Sequence, residues 1–273
     1  MTAGAYGFRL EGLHEAASLL VPAPTSWPPL AIETRVGSGA PGPVVDRLGP
    51  DGADLRLSGG GWVRIERAPA RAVYHLPEVR DHGSLVHPYL APVALIAARW
   101  LGRESFHAGA FVADGGVWAI LGDKEAGKST LLAWLAAHGH PVVCDDALVL
   151  DGAVALAGPR SIDLRAEAAR RLGAGEPLGT VGTRERWRIA LGPVEPELPL
   201  RGWISLAWDD EVAVEEIRGA AKLPALAPHR GVFAVPPHPE LLVEYAALPH
   251  RRLRRPRGWD AMAEGVERLL AAL

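Results

Sequence analysis

One nine-residue stretch, Gly122-Asp-Lys-Glu-Ala-Gly-Lys-Ser-Thr, constrains the fold of this chain more than any other part of it. An apolar run at 117–121 leads into it, and an Ala- and Leu-rich run at 128–138 leads out. Strand, glycine-rich loop and helix in this order form a phosphate-binding unit, in which backbone N–H groups and the helix N-terminus contact phosphates. The pattern therefore predicts a nucleotide site made by Gly122, Asp123, Lys124, Glu125, Ala126, Gly127, Lys128, Ser129 and Thr130.

Two side chains of this loop have specific expected roles. Lys128 is predicted to reach the β- and γ-phosphates of ATP, and the Ser129 hydroxyl to bind Mg²⁺. Lysine is otherwise rare, since the 29 cationic residues include only three lysines, at 124, 128 and 222. Glu125 adds a negative charge to an anion-binding loop, so we expect its carboxylate to point outward at the loop rim, beside Lys124.

Two adjacent carboxylates follow the next apolar run. Val142-Val-Cys leads into Asp145 and Asp146, and Asp146 comes 18 positions after Lys128. Neighbouring residues of a strand point to opposite faces, so one acid can face the nucleotide while the other serves a metal. A carboxylate beside the γ-phosphate can accept the proton of a substrate hydroxyl. Two alternatives stay open: both acids hold the metal, or they form a solvated turn.

Four motifs in register resemble the C-terminal kinase domain of the HPr kinase/phosphorylase family, whose nucleotide fold is related to that of phosphoenolpyruvate carboxykinase. The spacing from His107 to Lys128 is 21 positions and that from Lys128 to Asp146 is 18, as in the family. The motifs, which cover about forty residues, are Phe106-His-Ala-Gly, Gly122 to Thr130, Ala137-His-Gly-His and Cys144-Asp-Asp.

This resemblance implies roles for individual residues. Asp146 corresponds to the family's proton acceptor, His107 and Lys128 to its catalytic histidine and lysine, and Ser129 to the serine that binds Mg²⁺. Asp145, beside Asp146, is expected near the metal from the residues themselves. For His107 the alternative is a histidine buried in the core of an apolar strand.

The chain also departs from the family pattern. Lys124 and Glu125 replace a Ser-Gly pair, and Arg171 stands where the family has a second metal-binding glutamate. Asp163 is the predicted substitute for that glutamate. The region that recognises HPr is not evident, so the chain resembles the smaller HPr-kinase-like proteins with a β-rich N-terminal domain.

Arginine supplies the candidate residues for binding an acceptor. Arg184, Arg186 and Arg188 alternate, so they can share one face of a strand, and five further arginines crowd the segment 250–257. A guanidinium suits phosphate or carboxylate, although each set can equally be a solvated face. The predicted substrate-side residues are Arg160, Asp163, Arg186 and Arg188.

The rest of the chain indicates an α/β protein whose P-loop kinase domain, of the HPr kinase and phosphoenolpyruvate carboxykinase type, follows a small β-rich region. Residues 1–86 alternate over short stretches separated by turns, including the glycine- and proline-rich run at 37–43. Near-helical spacing at 89–101 predicts a linking helix within 87–103, and 104–273 form the kinase-like domain.

Composition limits the partners. A net charge of −3 argues against a general nucleic-acid binder, and a single cysteine fits a reducing cytoplasm. No signal peptide or membrane span is expected. The predicted function is transfer of the γ-phosphate of ATP to a hydroxyl acceptor on a peptide, a protein or a small alcohol. A nucleotide-binding switch or ATPase without transfer is the alternative, and a homo-oligomer stays open.

Overall fold

The computed structural model describes residues 2–37, 42–181, 183–231 and 238–273. Of the run predicted as a turn at 37–43, residues 38–41 lie outside the described residues. The strands of the described part are β1 (Ala3–Ala5), β2 (Phe8–Glu11), β3 (Val21–Pro22), β4 (Pro29–Val36), β5 (Arg47–Leu48), β6 (Gly52–Arg56), β7 (Trp62–Glu66), β8 (Arg71–Leu76), β9 (Glu104–Phe106), β10 (Gly109–Ala113), β11 (Gly116–Leu121), β12 (Val142–Cys144), β13 (Leu148–Asp151), β14 (Val154–Leu156), β15 (Ser161–Leu164), β16 (Glu176–Val181), β17 (Arg184–Ala190), β18 (Glu197–Trp208), β19 (Ala213–Glu216) and β20 (His250–Arg255).

Helices connect or cover these strands. The α-helices are α1 (His82–Ser84), α2 (Leu90–Trp100), α3 (Lys128–Ala137), α4 (Ala166–Leu172), α5 (Lys222–Leu226), α6 (Pro239–Ala247) and α7 (Met262–Ala271), with a π-helical turn at Leu85–Tyr89 and 3₁₀ turns at His14–Leu19, Gly219–Ala221 and Ala227–His229. Within the described residues, none of the helices has the length and apolar character needed to span a bilayer.

The N-terminal region forms an eight-stranded sheet in the order β3-β1-β2-β4-β8-β7-β6-β5. The alternation that predicted strands here has its usual cause. On β7, Val63 and Ile65 are buried while Arg64 between them is exposed, because successive side chains point to opposite faces of a sheet.

A second sheet carries the glycine-rich loop. Its strands follow the order β12-β10-β11-β18-β14-β13-β9, and β20 adds to β18 with β19 beyond it. On β11, Ala119 and Leu121 join a buried cluster shared with α2 and the first sheet. Trp118 and Ile120 join the cluster under α3 and α7. Burial on both faces explains why this strand is a continuous apolar run.

The division of the chain at residues 86 and 103 stays a prediction, since buried side chains of the first sheet, of α2 and of the second sheet form one cluster. The helix predicted at 89–101 is α2 and ends before Gly102, whose φ of +80° is readily adopted by glycine. The Ala- and Leu-rich run at 128–138 forms α3, and the helix-like runs at 165–172, 239–246 and 260–273 form α4, α6 and α7, each within two residues at both ends.

Two strands differ from the sequence interpretation. The strand-like run from Phe106 through Val112 is interrupted, since β9 ends at Phe106 and β10 begins at Gly109. His107 lies in the interruption, and its backbone N–H donates to the carbonyl of His229 at 2.7 Å. The arginine-rich segment 250–255, which gave no strand signal, is β20, parallel to β18 and antiparallel to β19.

Candidate functional site

A cleft of about 660 Å³ opens at the loop after β11. Four parts of the chain meet there: the glycine-rich loop, the turn after β12, the edge formed by β15 and β17, and the ends of β18 and β20 with the segment before α7. Its lining includes His107, Asp123, Lys124, Glu125, Ala126, Gly127, Lys128, Ser129, Thr130, Asp146, Asp163, Arg165, Arg184, Arg186, Trp208, Arg255, Arg257 and Trp259.

The loop joins β11 to α3 as the sequence predicted. Gly127 has a φ of +87°, a conformation that favours glycine, and α3 begins at Lys128. The Lys128 side chain folds back and its Nζ donates to the carbonyls of Gly122 at 2.6 Å and Asp123 at 3.3 Å. Burial lowers the pKa of Lys128, and the nearby carboxylate of Asp146 opposes that shift. The loop thus holds a nearly buried cation whose hydrogen-bond partners are neutral carbonyls.

Ser129 and Asp145, predicted to lie at the metal, are in direct contact. The Ser129 Oγ donates to Asp145 Oδ1 at 3.0 Å. Asp145 is 3% exposed, and its Oδ2 has no hydrogen-bond partner among the described residues. Burial, and then the charge of Asp146, raises the pKa of the Asp145 carboxyl well above its ordinary value.

This pair fits Mg²⁺. A buried carboxylate with an unpartnered oxygen and a neighbouring hydroxyl are hard oxygen donors, which Mg²⁺ prefers. No larger group of three or more His, Cys, Asp or Glu side chains suited to a metal occurs in the described ranges. Two protein ligands are enough for Mg²⁺, because it usually keeps several waters and binds substrate phosphates as well.

Asp146 occupies a tight turn rather than a strand. β12 ends at Cys144, and the Ala147 N–H donates to the Asp145 carbonyl at 2.7 Å across Asp146, whose φ is +62°. Such a three-residue turn with a positive φ is rare and strained at a residue other than glycine. The prediction that the two acids alternate on a strand is therefore wrong: the turn, and not strand pleating, separates their directions.

His107 contacts this turn. Its Nδ1 donates to the Asp146 carbonyl at 3.0 Å. The His107 side chain is exposed to the cleft, so the alternative of a core histidine is wrong. The interruption between β9 and β10 is what turns this residue out of the apolar strand. His107 thus lies where it can hold the backbone of Asp146.

Glu125 points away from the loop interior, as the sequence predicted, but its partner is different. Its Oε1 lies 2.6 Å from the Nη2 of Arg165, and both side chains are more than 60% exposed. The pKa of Glu125 is lowered, first by the Arg165 hydrogen bond, while Lys124 contributes less. The carboxylate therefore does not compete with an anion inside the loop.

We expect Glu125→Gln to leave the melting temperature unchanged and to change nucleotide affinity by less than about threefold, because exposed ion pairs contribute little. Differential scanning fluorimetry and titration with nucleotide measure both. Glu167→Gln, an exposed acid on the same cleft, is the matched control. A tenfold loss of affinity specific to Glu125→Gln would contradict the outward placement.

Of the four residues predicted on the substrate side, three are bound to other parts of the protein, and one, Arg186, is available in the cleft. Asp163 and Arg188 form a bidentate ion pair with N–O distances of 2.8 and 3.0 Å, and the Asp163 side chain is fully buried. Asp163 is thus engaged by a cation and is not free to replace the missing metal-binding acid. Arg160 donates to the backbone carbonyls of residues 142, 143 and 192 and does not line the cleft. Arg186 lines the cleft, and its Nε has no partner among the described residues.

Sequence reasoning missed several residues at the site because they come from distant segments. Trp208 and Arg255, at the ends of β18 and β20, line the cleft. His229 accepts the His107 backbone hydrogen bond, and its pKa is lowered by burial and next by Lys128. Tyr6, buried in the turn between β1 and β2, has its pKa raised first by burial, then by Cys144, Asp146 and Asp145, which lie close to it. No local pattern marks these residues.

Comparisons with known proteins add a distant structural similarity. No protein-family model matches the sequence, and no curated protein matches it. Among solved structures, the Hpr(Ser) kinase/phosphatase from Coxiella burnetii is similar at 16% sequence identity and a TM-score of 0.30, over 62% of this chain and 88% of that chain. These values indicate a distant structural relationship and carry no argument about function.

Proposed function

We propose that this protein is a Mg²⁺-dependent kinase that transfers the γ-phosphate of ATP to a hydroxyl group of an acceptor. The observation that carries the proposal is that three features meet at one cleft: the Lys128 loop, Ser129 with the buried Asp145 hydrogen-bonded behind it, and the strained Asp146 turn. A phosphate-binding loop beside a metal-binding carboxylate and a second, separately directed carboxylate is the arrangement that phosphoryl transfer needs.

Nucleotide binding follows from the loop. The backbone N–H groups of the loop and of the first turn of α3 bind the phosphates. Lys128 exchanges its two carbonyl partners for phosphate oxygens, a change that pairs its buried charge. Ser129 and Asp145 hold Mg²⁺, which when bound neutralises charge on the β- and γ-phosphates.

Asp146 accepts the proton of the acceptor hydroxyl. The hydroxyl oxygen forms a bond to the γ-phosphorus, the bond from that phosphorus to the bridging oxygen breaks, and ADP leaves with the bond's electron pair. The proton ends on the Asp146 carboxylate. His107 keeps the carboxylate in place by holding the carbonyl of the same residue.

We expect Asp145→Asn to remove the Mg²⁺ dependence of nucleotide binding. The amide keeps the shape but lacks the negative charge that binds the cation. The measurement is the thermal shift produced by ATP with Mg²⁺ and with EDTA, which should differ in the wild type and coincide in the variant. Asp151→Asn, at an exposed acid on β13, is the control. A wild-type response of Asp145→Asn to Mg²⁺ would remove Asp145 from the metal site.

The alternative function, a nucleotide switch or ATPase without an acceptor, is favoured by one observation. Arg188 engages Asp163, so no second acid replaces the family's metal-binding glutamate at that position. Incubation with γ-labelled ATP and a panel of serine, sugars, nucleosides and Ser/Thr peptides separates the two functions. Label on an acceptor supports the kinase, whereas release of labelled phosphate or binding alone across the panel supports the switch.

A further inference from the structure

We propose that Arg255 binds a phosphate group of the nucleotide beside the phosphate-binding loop, held in position by Trp208. This inference rests on the proposed nucleotide binding and adds to it a residue from the far end of the chain. Arg255 is the last residue of β20, paired in register with Trp208 of β18.

The surroundings of Arg255 are unusual for a cation. The residue is 3% exposed, and its guanidinium lies over the Trp208 ring, 4.6 Å from the ring centre. Among the described residues its guanidinium makes no hydrogen bond and no ion pair. Burial lowers its pKa, with no charged neighbour contributing. A buried cation is normally paired with an anion, and Arg255 has no such partner among the described residues.

The rest of the arginine cluster is different. On the same strand, Arg254 pairs with Asp209 at 2.7 Å and Arg251 pairs with Glu216 at 3.4 Å. Arg252 is exposed to solvent. The cluster at 250–257 is therefore not one solvated face, because paired, solvated and buried unpaired arginines alternate along it.

Arg255 is also aimed at the phosphate loop. Its Nη2 lies 3.0 Å from the place where a side-chain carbon on Gly127 would stand. Gly127 directly precedes Lys128, so the guanidinium reaches the loop beside the cation predicted to bind phosphate. Gly265 on α7 lies next to the stem of Arg255, 3.5 Å from its Cδ by the same measure, and leaves room for it.

A phosphate is the anion that fits this position. The planar guanidinium forms two parallel hydrogen bonds with phosphate oxygens, and stacking on Trp208 fixes its plane before the ligand arrives. Arg257 lies 5.5 Å from the same ring centre and is exposed. Arg255 therefore acts as the buried anchor, and a phosphate bound in the loop supplies the missing partner.

The test uses ATP and inorganic tripolyphosphate as probes, with calorimetry on the intact protein. We expect Arg255→Gln to weaken binding of both probes at least about tenfold, as loss of a charge-assisted hydrogen bond does. Arg255→Lys keeps the charge but not the planar fork, so it should lose less. Arg252→Gln is the control on the same strand and should bind both probes as the wild type does.

A thermal melt shows whether each variant is folded at the temperature of the titration. If Arg255→Gln does not fold, Arg255→Lys decides the question, and wild-type affinity in that variant overturns the inference. A wild type that does not bind tripolyphosphate overturns it as well. If tripolyphosphate binds through Arg255 and no acceptor is ever phosphorylated, the proposed kinase fails and the role of Arg255 stands.

Discussion

Asp146→Asn is expected to slow phosphotransfer by about 10²- to 10⁴-fold while nucleotide affinity changes less than about threefold. The amide cannot accept the acceptor's proton, so the loss falls on the chemical step. Asparagine tolerates a positive φ better than most residues, so the turn at φ +62° and the contact from His107 to the residue's carbonyl should persist. Single-turnover transfer from γ-labelled ATP measures the rate, and calorimetry measures binding.

A matched control exists for this substitution. Asp114 also has a positive φ, of +45°, but it is exposed in the turn between β10 and β11 and does not line the cleft. Asp114→Asn should therefore transfer phosphate at the wild-type rate. Full transfer activity in Asp146→Asn would exclude Asp146 as the base. Loss of nucleotide binding in that variant would instead indicate that both acids serve the metal.

Lys128→Ala is expected to weaken ATP binding on the order of 100-fold or more, and Lys124→Ala by less than about threefold. The two lysines stand four positions apart in one loop, yet their surroundings differ. Lys128 is 6% exposed and its ammonium bonds to two loop carbonyls, whereas Lys124 is exposed at the rim. A charge that is already desolvated gains more from a phosphate than a solvated one.

Calorimetry with ATP measures both variants, and a thermal melt without nucleotide tests whether they fold. Lys124→Ala is itself the control, since it removes the same charge from the same loop. Equal losses in the two variants would mean that net charge, and not the position of Lys128, governs binding. Wild-type affinity in Lys128→Ala would refute nucleotide binding at this loop.

The predictions that the structure confirmed depend on local signals. The boundaries of α2 and α3 follow from apolar spacing and nearby glycines, which the sequence displays within one segment. The order of the motifs predicted that Ser129 and Asp145 lie near one metal; the two side chains are in contact, and the metal site itself stays a prediction. Each of these features needs only neighbouring residues, or two segments joined by a single helix.

Predictions failed where distant segments decide the outcome. β20 looked like a charge run, since its sequence is His-Arg-Arg-Leu-Arg-Arg, but pairing with β18 and β19 makes it a strand. Ion pairs to Glu216 and Asp209 accommodate two of its arginines, Arg251 and Arg254. Asp163 was predicted to replace the missing metal-binding acid, but β17 pairs with β15 and places Arg188 in an ion pair with it. Such pairings depend on sheet register, which no short pattern encodes.

By itself, the sequence determined the strand, loop and helix around Lys128 and the two acids that follow, because hydrophobic periodicity and glycine positions act within a few residues of chain. Only the tertiary structure decided which acid lies in the strained turn, that His107 holds it, that Arg188 engages Asp163, and that Arg255 lies unpaired against the loop. The physical reason is that burial and ion pairing are properties of neighbours in space, and here those neighbours are 25 to more than 100 positions apart in the chain.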